Sequence, residues 1–242
     1  MNVQPQDEAN DLRPEWSSLV LRKHFDRYRL SEKQIEKLVR YGKSKWLQKG
    51  DRLILSGTNC PLYLVIQGKL KIVDCTDAEE FVITDILRAD EFFGNVSLSS
   101  KAVSNQYAET IAVRTLVCLF YVPDVRHMIE LDPFLALAFA SSVGRKLRLL
   151  EARNRWFLHR KDTKSRLGDF FQSWAEQDGI RIGEKWVVNN DMTVSDIAGY
   201  ISASRQTVHQ ILNEFRHSGY LEFSRKKIII SPARRLNSQH PM

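Results

Sequence analysis

Arg205, Gln206, His209, Gln210 and Asn213 fall at helical spacing within TVSDIAGYISASRQTVHQILNEF, residues 193–215, and each can donate a hydrogen bond from its tip. Donor-rich side chains gathered on one helix face suit the base edges of a major groove, where arginine bonds guanine and glutamine bonds adenine. Ser204 and Thr207 lie one turn apart beside them. Short hydroxyls of this kind suit phosphate oxygens, fixing the register of a helix without reading sequence. No carboxylate interrupts the face before Glu214. A helical hairpin with a merely solvated polar face has the same pattern, so the reading depends on the elements around it.

Those elements are legible. Thr193 and Asp196 have the side chains of a capping box, and Val194, Ile197, Ala198 and Ile201 follow at helical spacing. After a break at Ser202 and Ala203, Ser204 caps a second helix whose apolar face is Val208, Ile211, Leu212 and Phe215. Ser202 stands at a turn position where glycine would be free of strain. Gly219 is placed to end the second helix, and LEFSRKKIII (221–230) reads as a hairpin with Arg225, Lys226 and Lys227 at its tip. The whole is a winged helix-turn-helix. Thr193 and the wing residues Lys226 and Lys227 join the helix face as residues expected at a phosphate backbone.

Charge follows the same division. The chain carries +7, but residues 140–242 hold 18 Lys and Arg against 10 Asp and Glu, while residues 1–139 hold 18 against 19. A basic excess confined to the helical end points to nucleic acid there, with a membrane surface as the weaker alternative. No run is apolar enough to span a bilayer, and the polar, acidic start MNVQPQDEAN is no secretory signal, so a cytoplasmic protein is expected. Cys60, Cys75 and Cys118 form no CxxC pair, which argues against a disulfide framework or a structural zinc site and for reduced thiols. The six histidines are scattered, and no nucleophile motif, phosphate loop or metal cluster emerges, so no enzyme and no metal site is expected.

From Trp46 to Val122 the texture changes to short apolar or alternating runs, DRLILS, LYLVIQGKLKIVD, EFVITDIL, YAETIAV and TLVCLFYV. Their number and spacing predict an antiparallel jelly-roll around a small-ligand-sized interior. Between the halves, Asp132 and Pro133 open a long helix to about His159. Ala136, Ala140, Val143, Leu147, Leu150, Asn154 and Phe157 alternate at spacings of four and three, the seam of a two-stranded coiled coil, with Asn154 able to fix register. Val143, Leu147, Leu150, Asn154 and Phe157 are the expected homodimer contacts. The fold class is α+β: jelly-roll, dimerisation helix, winged helix-turn-helix. The expected limits are 1–20 for an N-terminal arm, 21–130 for the roll, 131–160 for the helix and 161–242 for the helical end.

This order of parts resembles the CRP/FNR family of bacterial transcription regulators from about Leu21 to about Pro232. Residues 47–73 look like the family's early barrel strands, DEFFGNVSL (90–98) like its phosphate cassette, and SASRQTVHQIL (202–212) like its recognition helix. The resemblance implies a homodimer on palindromic DNA, a roll able to hold an effector, a contact with RNA polymerase, and rotation about a hinge near Phe157 to Thr163. The positions it assigns to an effector are Gly94, Asn95, Val96, Asn105, Gln106, Leu150 and Glu151. Members that bind cyclic AMP carry Gly-Glu in the cassette and Arg-Ser soon after, whereas this chain has Gly94-Asn95 and then SNQYA at 104–108. Losing a charge-assisted bond of about 1.5–3 kcal/mol and the ribose acceptor argues against cyclic-nucleotide control. Three cysteines cannot supply the four thiolates of an iron-sulfur cluster. Haem at Cys75, oxidation of Cys60 or Cys75, an unidentified metabolite, and signalling through protein partners remain open, and no cofactor is assigned.

Overall fold

The computed structural model describes residues 30–57, 60–75, 81–98, 105–159 and 162–231. The expected N-terminal arm, 1–20, therefore lies outside the described residues, as do the side chains of Cys75, Asn154 and Phe157. The chain divides into two compact units, Met1–Glu151 and Ala152–Met242.

In the first unit, α1 (Glu32–Tyr41) leads into β1 (Lys43–Gln48), β2 (Arg52–Ile54), β3 (Leu62–Gln67), β4 (Leu70–Cys75), β5 (Phe81–Leu87), β6 (Phe92–Gly94), β7 (Gln106–Thr110) and β8 (Arg114–Phe120). Two antiparallel sheets, ordered β1-β8-β3-β6 and β2-β7-β4-β5, make the jelly-roll. The apolar run LYLVI has no alternation because β3 is buried on both faces. Tyr63 and Val65 join Leu53, Leu70, Phe93 and Val117 in one cluster, while Leu62, Leu64 and Ile66 join a second with Leu38, Val125 and Leu135. Strands buried on both faces read as continuous apolar runs.

Helices complete the second cluster with Leu38, Val125, Met128 and Leu135. Gln34 Oε1 accepts from the Ser31 amide (2.8 Å) at the start of α1. The expected strand TLVCLFYV ends at Phe120, since Tyr121 is already the cap of α2 (Val122–Leu131), with proline in its first turn. Next, α3 (Pro133–His159) opens where Asp132 Oδ1 accepts from the Phe134 amide at 3.1 Å. Leu135 and Ala138 are buried and Phe139 meets Phe92 edge to face at 5.8 Å, so this side of α3 faces its own roll.

The opposite side carries Leu137 and Leu147, 65% and 56% exposed, with Ala140 exposed and Gly144 half-buried between them. That stripe shares Ala140 and Leu147 with the expected seam. It is rotated relative to Ala136, Val143 and Leu150, which are half-buried. An apolar helix stripe alone does not say which part faces the chain's own core and which is left for a neighbour.

In the second unit, α4 (Thr163–Asp178) precedes β9 (Ile180–Ile182) and β10 (Lys185–Asn189). Then come α5 (Val194–Ile201), α6 (Arg205–His217), β11 (Leu221–Phe223) and β12 (Lys227–Ile230). The wing strands belong to a four-stranded sheet ordered β11-β12-β10-β9. Leu167, Phe170, Phe171 and Trp174 of α4 are buried, at the spacing of one helix face, and Phe170 meets Tyr200 at 5.2 Å while Phe171 meets Phe223 at 6.3 Å. One aromatic helix thus backs both the helix pair and the wing.

Candidate nucleic-acid interface

At the start of α5, Thr193 Oγ1 accepts from the Asp196 amide (3.1 Å), and Asp196 Oδ2 accepts from the Thr193 amide (2.8 Å). The expected capping box is in place. At the start of α6, Ser204 Oγ accepts from the Thr207 amide at 3.0 Å. Val208, Ile211, Leu212 and Phe215 are buried, and Arg205, Gln206, His209, Gln210 and Asn213 are exposed. Two details differ from free, independent donors. The Ser204 and Thr207 hydroxyls lie 2.7 Å apart, so one donates to the other. Asn213 Nδ2 stands 3.3 Å from His209 Nδ1, which ties the two side chains one turn apart. Glu214, the first acid of the helix, is held by Lys164 of α4 at 2.8 Å.

The turn between the helices is tight. Ser202 adopts a left-handed backbone conformation (φ 54°, ψ 59°), and the Ala203 amide turns back to the Ala198 carbonyl at 3.0 Å. A residue with a Cβ is strained there by about 1–2 kcal/mol, partly offset in glycine by about 0.5–1 kcal/mol of chain entropy. Ser202→Gly is accordingly expected to stabilise the second unit, raising its melting temperature by roughly 2–5 °C in calorimetry. A lower melting temperature would mean that the serine side chain contributes more than the strain costs.

The far end of α6 stops as a paired cap. Ser218 is the C-cap and Gly219, the expected terminator, follows it with φ 71°. The Gly219 amide donates to the Arg216 carbonyl (3.1 Å) and the Tyr220 amide to the Phe215 carbonyl (3.0 Å). Tyr220 also meets the Phe215 ring at 5.0 Å, the apolar contact that accompanies this cap. The chain then enters the wing, whose turn is closed by Ser224: its hydroxyl donates to the Lys227 carbonyl (2.8 Å) and accepts from the Lys227 amide (3.0 Å). Arg225 and Lys226 form the exposed tip. Lys227 is not at the tip but is the first residue of β12, opposite Asn189, with its side chain exposed.

Comparison with known proteins fits this geometry. Residues 165–238 match the Crp-like helix-turn-helix domain, and residues 44–130 match the cyclic nucleotide-binding domain. The chain belongs to the CRP/FNR family of transcription regulators. It is a DNA-binding transcription regulator of that type, with a jelly-roll domain like the cyclic nucleotide-binding domain and a Crp-like helix-turn-helix. Among its relatives is the CRP-like cAMP-activated global transcriptional regulator of Mycobacterium tuberculosis, 28% identical over 176 residues, 72% of this chain and 77% of that protein. The global nitrogen regulator of a Synechocystis strain is 24% identical over 171 residues, 70% of this chain and 75% of that protein. Similar folds include FixK2 from Bradyrhizobium japonicum, with TM-score 0.65, 19% identity, and coverage of 79% of this chain and 92% of that one. The c-di-GMP responsive regulator CLP of Xanthomonas campestris gives TM-score 0.69 at 14% identity, covering 83% of this chain and 99% of that one.

The positions expected from the resemblance to meet an effector lie as follows. Gly94 ends β6 at φ 79°, and a Cβ there would lie 2.5 Å from the Pro61 carbonyl oxygen, so the cassette turn needs glycine. Asn95 is 3% exposed: its amide donates to the Pro61 carbonyl (3.0 Å) and its Oδ1 accepts from the Ser97 hydroxyl (3.1 Å). Val96 is half-buried against the helix-side cluster. Asn105 is exposed, and Gln106 at the start of β7 donates from Nε2 to Asp74 Oδ2 at 3.4 Å. Leu150 is half-buried and Glu151 exposed.

The side chains of α3 that reach the cassette lie a turn earlier. Arg145 donates to the Asp90 carbonyl (2.6 Å), and Lys146 donates to the Phe92 carbonyl (3.2 Å) and pairs with Asp85 (3.0 Å). Arg126 of α2 donates from Nε to the Leu98 carbonyl (2.8 Å). Side-chain bonds to backbone carbonyls leave no complementary residue in the sequence, so the carbonyl contacts of these three were not legible there. Both ends of the gripped segment, Asp90 (φ 73°) and Leu98 (φ 52°), are left-handed. Of the thiols, Cys60 is buried and desolvation pushes its ionisation up, while desolvation pushes Cys118 up to about 12. Neither has the depressed ionisation of a reactive thiolate.

Proposed function

We propose that the protein is a homodimer that reads a palindromic DNA site, one α6 per half-site, with half-sites about one helical turn apart. One observation carries the reading: Arg205, Gln206, His209 and Gln210 are all exposed on the capped first half of α6, opposite its buried face. In it Arg205 bonds guanine and Gln206 prefers adenine, while His209, Gln210 and Asn213 meet neighbouring base edges or phosphates. Thr193, Ser204, Thr207, Lys226 and Lys227 hold the backbone. Dimerisation is supported by the stripe of exposed Leu137, Ala140 and Leu147 with half-buried Gly144 between them on α3, a spacing of three and four that leaves room for close approach.

In the same reading the protein works in the cytoplasm, catalyses nothing, and contacts RNA polymerase to act on transcription. Cyclic AMP is not its signal. The neutral Asn95 is buried and bonded to Ser97 in the place of the family's ribose-binding acid, and Asn105 and Gln106 replace the phosphate-binding arginine. The residues that would meet any other effector are those beside Gly94, Asn95 and Val96, and its signal would pass along the long helix, 131–160, to the DNA-reading end, 161–242.

In vitro selection from random duplex DNA, with no ligand added, tests the reading. Enrichment of a palindrome with guanine opposite Arg205 is expected, and Arg205→Ala should lose about 1–3 kcal/mol and relax preference at that one position. Equal weakening on all sequences would remove Arg205 from the base edge.

A further inference from the structure

Arg166 sits in the first turn of α4, the positive end of that helix, where its own dipole disfavours a cation. Its guanidinium reaches across to another element. Nε donates to the Ile201 carbonyl (3.2 Å), one terminal nitrogen reaches the Ser202 carbonyl (3.5 Å), and the same nitrogen donates to Thr163 Oγ1 (3.2 Å). Ile201 is the last residue of α5, and its carbonyl belongs to the negative end of that helix, where orphan oxygens want donors. Ser202 is the left-handed residue on which the chain swings into α6. A planar guanidinium with several fixed donors can hold two successive carbonyls and a hydroxyl at once, which an ammonium cannot.

We infer that Arg166 is a positioning residue for DNA reading: it fixes the Ile201–Ser202 turn, and with it the angle at which α6 presents Arg205 and Gln206. The inference rests on the proposed function and names a residue outside the helix pair that sets its selectivity. Arg166 itself need not touch DNA, because its guanidinium is committed to the turn. Its removal leaves every base-reading side chain present but aims them less well. Discrimination between sequences then falls while the charge-driven attraction to phosphates persists.

The test compares the unsubstituted protein, Arg166→Gln and Arg166→Lys on the selected palindrome and on a scrambled duplex, across a series of salt concentrations and below the melting temperature of each. For Arg166→Gln the ratio of specific to non-specific affinity is expected to drop about tenfold with an unchanged salt slope, and for Arg166→Lys about threefold. Should Arg166→Gln not fold, the intermediate ratio of Arg166→Lys carries the test alone. Equal loss on both duplexes with a salt slope smaller by about one would make Arg166 a phosphate contact and overturn the inference. An undiminished ratio in both variants would overturn it as well. If the unsubstituted protein showed no sequence preference, the reading of α6 as a sequence reader would fail first, and this inference with it.

Discussion

Leu137→Glu combined with Leu147→Glu is expected to turn the protein into a monomer and to weaken its hold on the palindrome by about 10²–10⁴-fold. The size of the effect comes from geometry. In a dimer the second α6 binds its half-site as an intramolecular event, at an effective concentration set by the connection between protomers, and a monomer forfeits that term entirely. Both leucines are more than half exposed in one protomer. The substitutions therefore remove little packing from the chain's own core, and the melting transitions of the two units should stay within a few degrees. Across a two-fold axis, however, each glutamate meets like charge or apolar surface, where a buried unpaired carboxylate is strongly unfavourable. Sedimentation would give the mass, and titration of one half-site against the palindrome would give the lost factor. A variant that kept dimer mass and palindrome affinity would place the interface elsewhere than on this face of α3.

The DNA-reading end was more legible in the sequence than the elements that hold it. Caps and apolar stripes are local, so Thr193, Ser204 and the face Val208, Ile211, Leu212 and Phe215 could be read directly, and the structure has them as expected. The roll was legible as strands because β2, β3, β4, β5, β7 and β8 lie in apolar or alternating runs cut by turns. Short β6 and β9 carry too few residues to show a period, and α1, α2 and α4 are not among the elements expected above. In α4, Leu167, Phe170, Phe171 and Trp174 do mark a helix face, and in α1 the pair Ser31 and Gln34 marks a start. Both helices thus carry local signals of their own. The seam of α3 was legible as a stripe but not as an orientation, since Leu135 and Ala138 compete with Ala136 and Val143 for the side that meets the roll. Contacts such as Arg166 to Ile201 or Arg145 to Asp90 are invisible by nature: the acceptor is a backbone carbonyl 35 or 55 residues away.

Phe215→Ala is expected to cost the second unit about 3–5 kcal/mol, a large part of the roughly 5–15 kcal/mol that holds a domain of this size together. Phe215 has no exposed surface and reaches toward α4 at Gly168, where a Cβ would stand 3.7 Å from its ring tip. It also anchors the end of α6, through its carbonyl to the Tyr220 amide and through its ring to Tyr220. Truncation thus opens a cavity beneath α6 and loosens its cap at once, and the surrounding structure relaxes only partly into such a space. Calorimetry should show the transition of the second unit shifted down by more than 10 °C, with the transition of the jelly-roll unit unmoved. DNA affinity at a temperature between the old and new midpoints should fall in proportion to the unfolded fraction, while at low temperature most of it should return. Gln210→Ala on the exposed face provides the contrast, changing stability by less than about 0.5 kcal/mol. If Phe215→Ala lowered both transitions together, the two units would not be melting separately, and the loss of DNA binding could no longer be assigned to the packing of α6 alone.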